Sequence, residues 1–108
     1  MSAYNTLFLK SLCRNCHEEV QIKIQFKFGD TWDYKYCIHD KIRWGGNDIG
    51  KPNLKKVVLD GVAEPCENCK ETVDYLIFIE RDIIESIEEN KGQYDFNLSE
   101  GYYLVLET

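Results

Sequence analysis

The residues of this 108-residue chain best suited to chemistry are its five cysteines. Four of them come in two pairs, Cys13-Arg14-Asn15-Cys16 and Cys66-Glu67-Asn68-Cys69. Two residues between cysteines let the chain turn tightly enough to aim both sulfurs at one point. One pair then supplies two corners of a tetrahedron and the second pair supplies the other two. Thiolates are soft ligands, which select Zn²⁺ or iron over Mg²⁺ and Ca²⁺. The expectation is one structural Zn²⁺ held by Cys13, Cys16, Cys66 and Cys69. The competing readings are redox or free core thiols, and a mononuclear iron site. A four-cysteine site is closed, and a metal without an open position cannot activate water, so metal catalysis is not expected. Cys37 is left over and reads as structural.

Other patterns resemble functional motifs and fail on particular residues. Cys13-Arg14-Asn15-Cys16-His17 fits the c-type haem attachment pattern. A second axial ligand would have to come from His39 or Met1, and the second cysteine pair would stay unexplained. His17 is expected to lie exposed beside the turn or to donate to a metal-bound sulfur. Gly45-x-x-x-x-Gly50-Lys51 matches most of a phosphate-binding loop, but Pro52 replaces the Ser or Thr that would hold Mg²⁺. A residue before proline also avoids the helical region, so Lys51 is a poor helix opener. Cys37 and His39 lack a feature that would depress a thiol pKa or orient a base. Asp82, Glu85, Glu88 and Glu89 read as a solvated acidic face. Trp32, Tyr34, Tyr36 and Trp44 interleave with Lys35, Lys41 and Arg43, a pattern that could stack single-stranded bases. The preferred reading places those rings in a core or interface. No catalytic constellation emerges, and the chain is not expected to be an enzyme.

Two cysteine pairs need rigid elements to bring them together. Thr6–Leu12 reads as a first strand. Val20, Ile22, Ile24, Phe26 and Phe28 alternate with polar residues, so Val20–Phe28 reads as a half-buried strand ended by Gly29-Asp30. Trp32, Tyr34 and Tyr36 alternate in a third strand, which Lys41–Trp44 extends or follows. Residues 45–52 are a loop by composition. Lys56–Leu59 reads as a strand, Asp60-Gly61 as a turn, and Val73–Ile79, apolar on both faces, as a central strand. Residues 81–90 fit a helix or a strand. The β-branched isoleucines and the need of strand 73–79 for a partner favour the strand. Tyr102–Leu106 is the last strand. Each cysteine pair then falls at a hairpin tip. The expected fold is mostly β: a single domain over residues 1–108, stapled by zinc, with an ordered β insert and little or no helix.

In these hairpin settings the two cysteine pairs resemble the zinc-ribbon class, whose members serve as interaction and nucleic-acid modules. The 49 residues between Cys16 and Cys66 exceed the gap in small members of that class. Length suits one domain, and 44% apolar residues supply one core. No window approaches the run of about 18 apolar residues needed to cross a bilayer, so no membrane role is expected. No basic region precedes the short apolar patch of Met1–Leu12, so no signal peptide is read. The expected location is therefore the cytoplasm, and five cysteines in an apparently cytosolic chain argue against a disulfide framework.

The net charge of −6 is uneven: residues 1–59 carry +4 and residues 60–108 carry −10. Non-specific nucleic-acid affinity comes from neutralising phosphates, so the balance favours a basic protein partner. The leading expectation is a non-catalytic interaction module. In size and acidity it is similar to the small immunity proteins that cover the basic active sites of bacterial toxins. The alternative is a nucleic-acid-binding zinc ribbon using the basic, aromatic first half.

Overall fold

A computed structural model describes residues 4–13, 15–96 and 102–107. Strand β1 (Asn5–Leu12) and strand β2 (Glu19–Phe26) form an antiparallel hairpin in register from Asn5↔Phe26 to Leu12↔Glu19. Val20, Ile22, Ile24 and Phe26 all face the core, as the period of two requires. The strand stops at Phe26, two residues short of the expected end. β1 starts at Asn5 and offers no further ladder. Instead the fully buried Asn5 side chain donates to the Phe28 and Asp30 carbonyls (3.1 and 3.2 Å) and accepts from Tyr34 N–H (3.0 Å). Phe28 still reaches the core, edge-on to Trp44 and Tyr103. At Gly29 (φ +79°) a β-carbon would collide with Ile42 and the Arg43 carbonyl. Gly29–Asp30 does not simply end a strand. It forms the short strand β3, paired with β5 (Asp48–Ile49) inside the expected loop 45–52.

The expected third strand is reduced to β4 (Lys35–Tyr36), parallel to β1. Lys41–Trp44 forms no strand. It is tied down by a Lys41↔Ile83 bridge, an Ile42 N–H bond to the Asp82 carbonyl, and an Asp30 N–H bond to the Arg43 carbonyl.

Strand β6 (Lys56–Ala63) corrects another reading, because it runs straight through Asp60-Gly61. Asp60 and Gly61 pair with Leu76 and Tyr75 of strand β7 (Tyr75–Glu80). A β-carbon on Gly61 would lie 2.6 Å from Ile24 Cγ2 and 2.9 Å from the Tyr75 carbonyl oxygen. The glycine therefore marks a close approach within the strand, where Gly is commonly found. On one edge β6 pairs with β7. On the other, Lys56–Leu59 pairs with β9 (Tyr103–Glu107), and Val62–Ala63 pairs with Gln25–Ile24 of β2. Strand β8 (Ile83–Glu89) returns antiparallel to β7 after Arg81-Asp82, both at positive φ, so the strand reading of residues 81–90 holds.

The curled sheet runs β4-β1-β2-β6-β7-β8, with β9 beside β6. One core cluster buries Leu7, Ile24, Phe28, Leu59, Ile77 and Ile84. Val58 and Leu76 are buried as well, and Tyr94 packs against Phe78. The fold is mostly β, with no α-helix among the described residues and none long and apolar enough to cross a membrane.

Candidate metal centre

The two antiparallel hairpins β1–β2 and β6–β7 each end in a cysteine turn, and the turns have the same internal bonding. Cys13 N–H donates to the Glu18 carbonyl and His17 N–H to the Cys13 carbonyl, both at 2.9 Å. Cys66 N–H donates to the Glu71 carbonyl and Lys70 N–H to the Cys66 carbonyl, again at 2.9 Å. The residue after each second cysteine is left-handed, His17 at φ 61° and Lys70 at φ 66°. Asn15 N–H and Asn68 N–H each lie 3.4 Å from the first sulfur of their own turn. The repeat thus extends beyond Cys-x-x-Cys. Both segments read Cys-x-Asn-Cys-x-Glu-x-Val, at residues 13–20 and 66–73.

The turns face each other, and all four sulfurs lie within 4.8 Å of one another. Cys13 Sγ is 3.9 Å from Cys69 Sγ, and Cys16 Sγ is 3.8 Å from Cys66 Sγ. A disulfide needs about 2.05 Å. A tetrahedron of sulfurs about 2.3 Å from a central ion has an edge of about 3.8 Å. The spacing therefore suits a metal ion such as zinc. Cys13 and Cys66 are buried, while Cys16 and Cys69 are half-buried.

Two residues that sequence reasoning missed complete the site. Asn15 Nδ2 reaches across to Cys69 Sγ (3.4 Å), and Asn68 Nδ2 reaches across to Cys16 Sγ (3.5 Å). Each turn thus donates one side-chain amide to the outer sulfur of the other. The asparagine shared by both pairs was the available signal. These bonds favour the thiolate form, which binds metal. Asn15, followed by the hydrogen bond from Glu71, draws Cys69 down to about 6 from 9.0. Asn68, followed by Glu18, lowers Cys16 in the same direction.

The remaining sequence candidates lie elsewhere. Cys37 is exposed and outside the sulfur cluster, in a turn where Asp40 accepts its N–H at 2.7 Å. His17 and His39 are exposed. After Gly50-Lys51-Pro52 the chain passes into β6, not into a helix. Asp82 departs from the acidic-face reading. It is 3% exposed, and both its carboxylate oxygens accept Asn53 N–H, while Glu85 and Glu88 stay exposed.

The aromatic run divides. Tyr36 is buried and its hydroxyl accepts Arg43 N–H, and Trp44 packs on Phe28. Tyr34 lies under the Arg43 guanidinium, and Trp32 is 65% exposed. Arg14 lies outside the described residues. No protein-family model, curated protein or solved structure matches the chain.

Proposed function

We propose that this chain is a zinc-stapled, non-catalytic protein-interaction module that covers a basic partner, in the manner of an immunity protein against a bacterial toxin. The observation that carries the zinc assignment is the closed set of four sulfurs at tetrahedral spacing, each outer sulfur bonded by an asparagine of the opposite turn. Such a site leaves the metal no position for substrate or water, so its contribution is structural. It joins turns 49 residues apart in sequence. With four thiolates and one Zn²⁺ the net charge moves from −6 to −8, which favours a cationic partner.

Purified protein should hold one zinc per chain. A neighbouring gene should encode a basic, growth-arresting protein whose effect co-expression of this chain relieves. Arrest that persists with the zinc-loaded chain present would refute the inhibitor reading.

A second reading has its own observation. Lys35, Lys41 and Arg43 line one polar groove of about 260 Å³ with Tyr36 and Asp40, in a chain that is otherwise acidic. Its cations suit a single-stranded nucleic acid, and the exposed Trp32 offers a ring for stacking. Saturable, salt-sensitive quenching of tryptophan fluorescence by oligothymidylate, lost in Trp32→Ala, would favour it over the protein-partner reading.

A further inference from the structure

The β2–β6 ladder stops beside the metal centre. Its last backbone bond is Glu64 N–H to the Lys23 carbonyl, at 2.9 Å. The register Ile24↔Ala63 would next place Pro65 opposite Ile22 and Cys66 opposite Gln21. Ile22 and Pro65 would be a non-hydrogen-bonded pair, so the next donor in the ladder is Cys66 N–H, and that group is committed to Glu71 within its own turn. The two arms therefore separate. The Glu67 carboxylate occupies the vacated edge, with Oε1 accepting Gln21 N–H at 3.3 Å.

Between the arms lies a groove of about 100 Å³, walled by Val20, Ile22, Val73 and Tyr75 and rimmed by Glu64, Glu67 and Glu71, with Lys23 at one side. Small-molecule sites run to about 300–1,000 Å³. This groove is too small for a metabolite of that class and suits one side chain. Among the described residues none of the three rim carboxylates is held in an ion pair, while Lys23 lines the groove and Lys70 Nζ donates to the Glu67 carbonyl at 2.8 Å. Four thiolates around a divalent ion would add further negative charge at the groove's end, where Cys13 and Cys66 form part of the lining.

We infer that this groove is an anchor site for one arginine or lysine side chain of a protein partner. The methylene stem lies along the apolar walls, and the cation is held by Glu67 and Glu71. Basic side chains divide in this way, with the stem on apolar surface and the charge at a polar rim. The inference rests on the reading of the chain as a module for a basic protein, and names where that protein is gripped.

The test is an amide chemical-shift titration of the full-length, zinc-loaded chain. The probes are acetyl-Gly-Arg-Gly-amide and the same peptide with citrulline, which keeps the stem and loses the charge. The arginine peptide should give saturable shifts at Gln21, Lys23, Glu64, Glu67 and Val73, and citrulline should give none. Glu67→Gln/Glu71→Gln should weaken binding about fivefold or more, the scale of two exposed charge pairs. Glu85→Gln/Glu88→Gln on β8 changes the charge equally and should leave binding unaltered.

No shifts at millimolar peptide, or equal weakening by both double variants, would overturn the anchor site. Shifts centred on β8 would overturn it while leaving the basic-partner reading intact. Oligothymidylate shifting residues around Lys35, Lys41 and Arg43 while the arginine peptide shifts nothing would overturn both.

Discussion

Replacing Asn15 with alanine removes one side-chain amide from the Cys69 sulfur and leaves every ligand in place. The bond is 3.4 Å long and Asn15 is exposed, so the fold does not depend on it. A hydrogen bond to a charged acceptor contributes about 1.5–3 kcal/mol. Water can replace part of this bond, which puts the loss near the lower end, about 1.4 kcal/mol or a tenfold drop in metal affinity. That agrees with the 10–100-fold range seen when groups bonded to a metal ligand are removed. Asn68→Ala should behave alike, because its amide meets Cys16 at 3.5 Å in the mirrored arrangement. The double variant should lose about a hundredfold if the two bonds act independently.

Asn15→Asp supplies the sharper contrast. It keeps the shape but points a carboxylate at a thiolate cluster, so it should bind zinc more weakly than Asn15→Ala. Competition against a chromophoric zinc chelator at fixed pH measures all four variants. An Asn15→Ala affinity within twofold of the parent, or Asn15→Asp binding more tightly than Asn15→Ala, would refute the assignment of these amides to the metal centre.

Three further outcomes follow from the same geometry. Cys66→Ser should release zinc, whose binding is worth roughly 10–16 kcal/mol in zinc peptides. Amide exchange should then rise at both turns while β2 stays protected by its buried face, and Cys37→Ser should leave zinc content unchanged. In metal-free protein, alkylation of Cys69 should reach half its maximal rate near pH 6, since its pKa lies at about 6 and below the ordinary 9.0. A folded-state pKa depressed in this way contributes stability above pH 9 that is lost as pH falls through about 6. Asn15→Ala should move the alkylation midpoint upward, because Asn15 is the largest cause of the shift. Gly61→Ala should destabilise by about 1–3 kcal/mol, the usual cost of overpacking, read as a lower midpoint in urea. An unchanged midpoint would mean that the Ile24 and Tyr75 contacts yield freely.

The local pattern made several elements legible. Alternation over residues 20–26 dictated β2 and its buried face, because a period of two admits one inward side. Apolar residues on both faces of 73–79 marked a central strand, and β7 lies between β6 and β8, though it begins only at Tyr75. Two Cys-x-x-Cys pairs bounded by strand patterns were enough to bring four sulfurs to one point. Their chemistry excluded hard cations without any knowledge of the fold.

The tertiary structure decided what depends on residues distant in sequence. Asp60-Gly61 has turn composition, yet stays in β6 because Leu76, Tyr75 and the Tyr102 carbonyl supply its pairing and Ile24 needs the space. Residues 32–36 alternate like a long strand, but Tyr34 is drawn into bonds with the side chains of Asn5 and Asp30, and only Lys35–Tyr36 pair as a strand. Asp82 reads as one more surface acid, yet it is buried and accepts the N–H of Asn53, 29 residues away. Asn15 and Asn68 acquire a role only when the two hairpins meet, since each amide serves a sulfur more than 50 residues distant. Ligand type and spacing are local quantities and can be read along the chain. The partner of a polar group is set by which strands the hydrophobic core brings together, and that is decided only when the sheet curls.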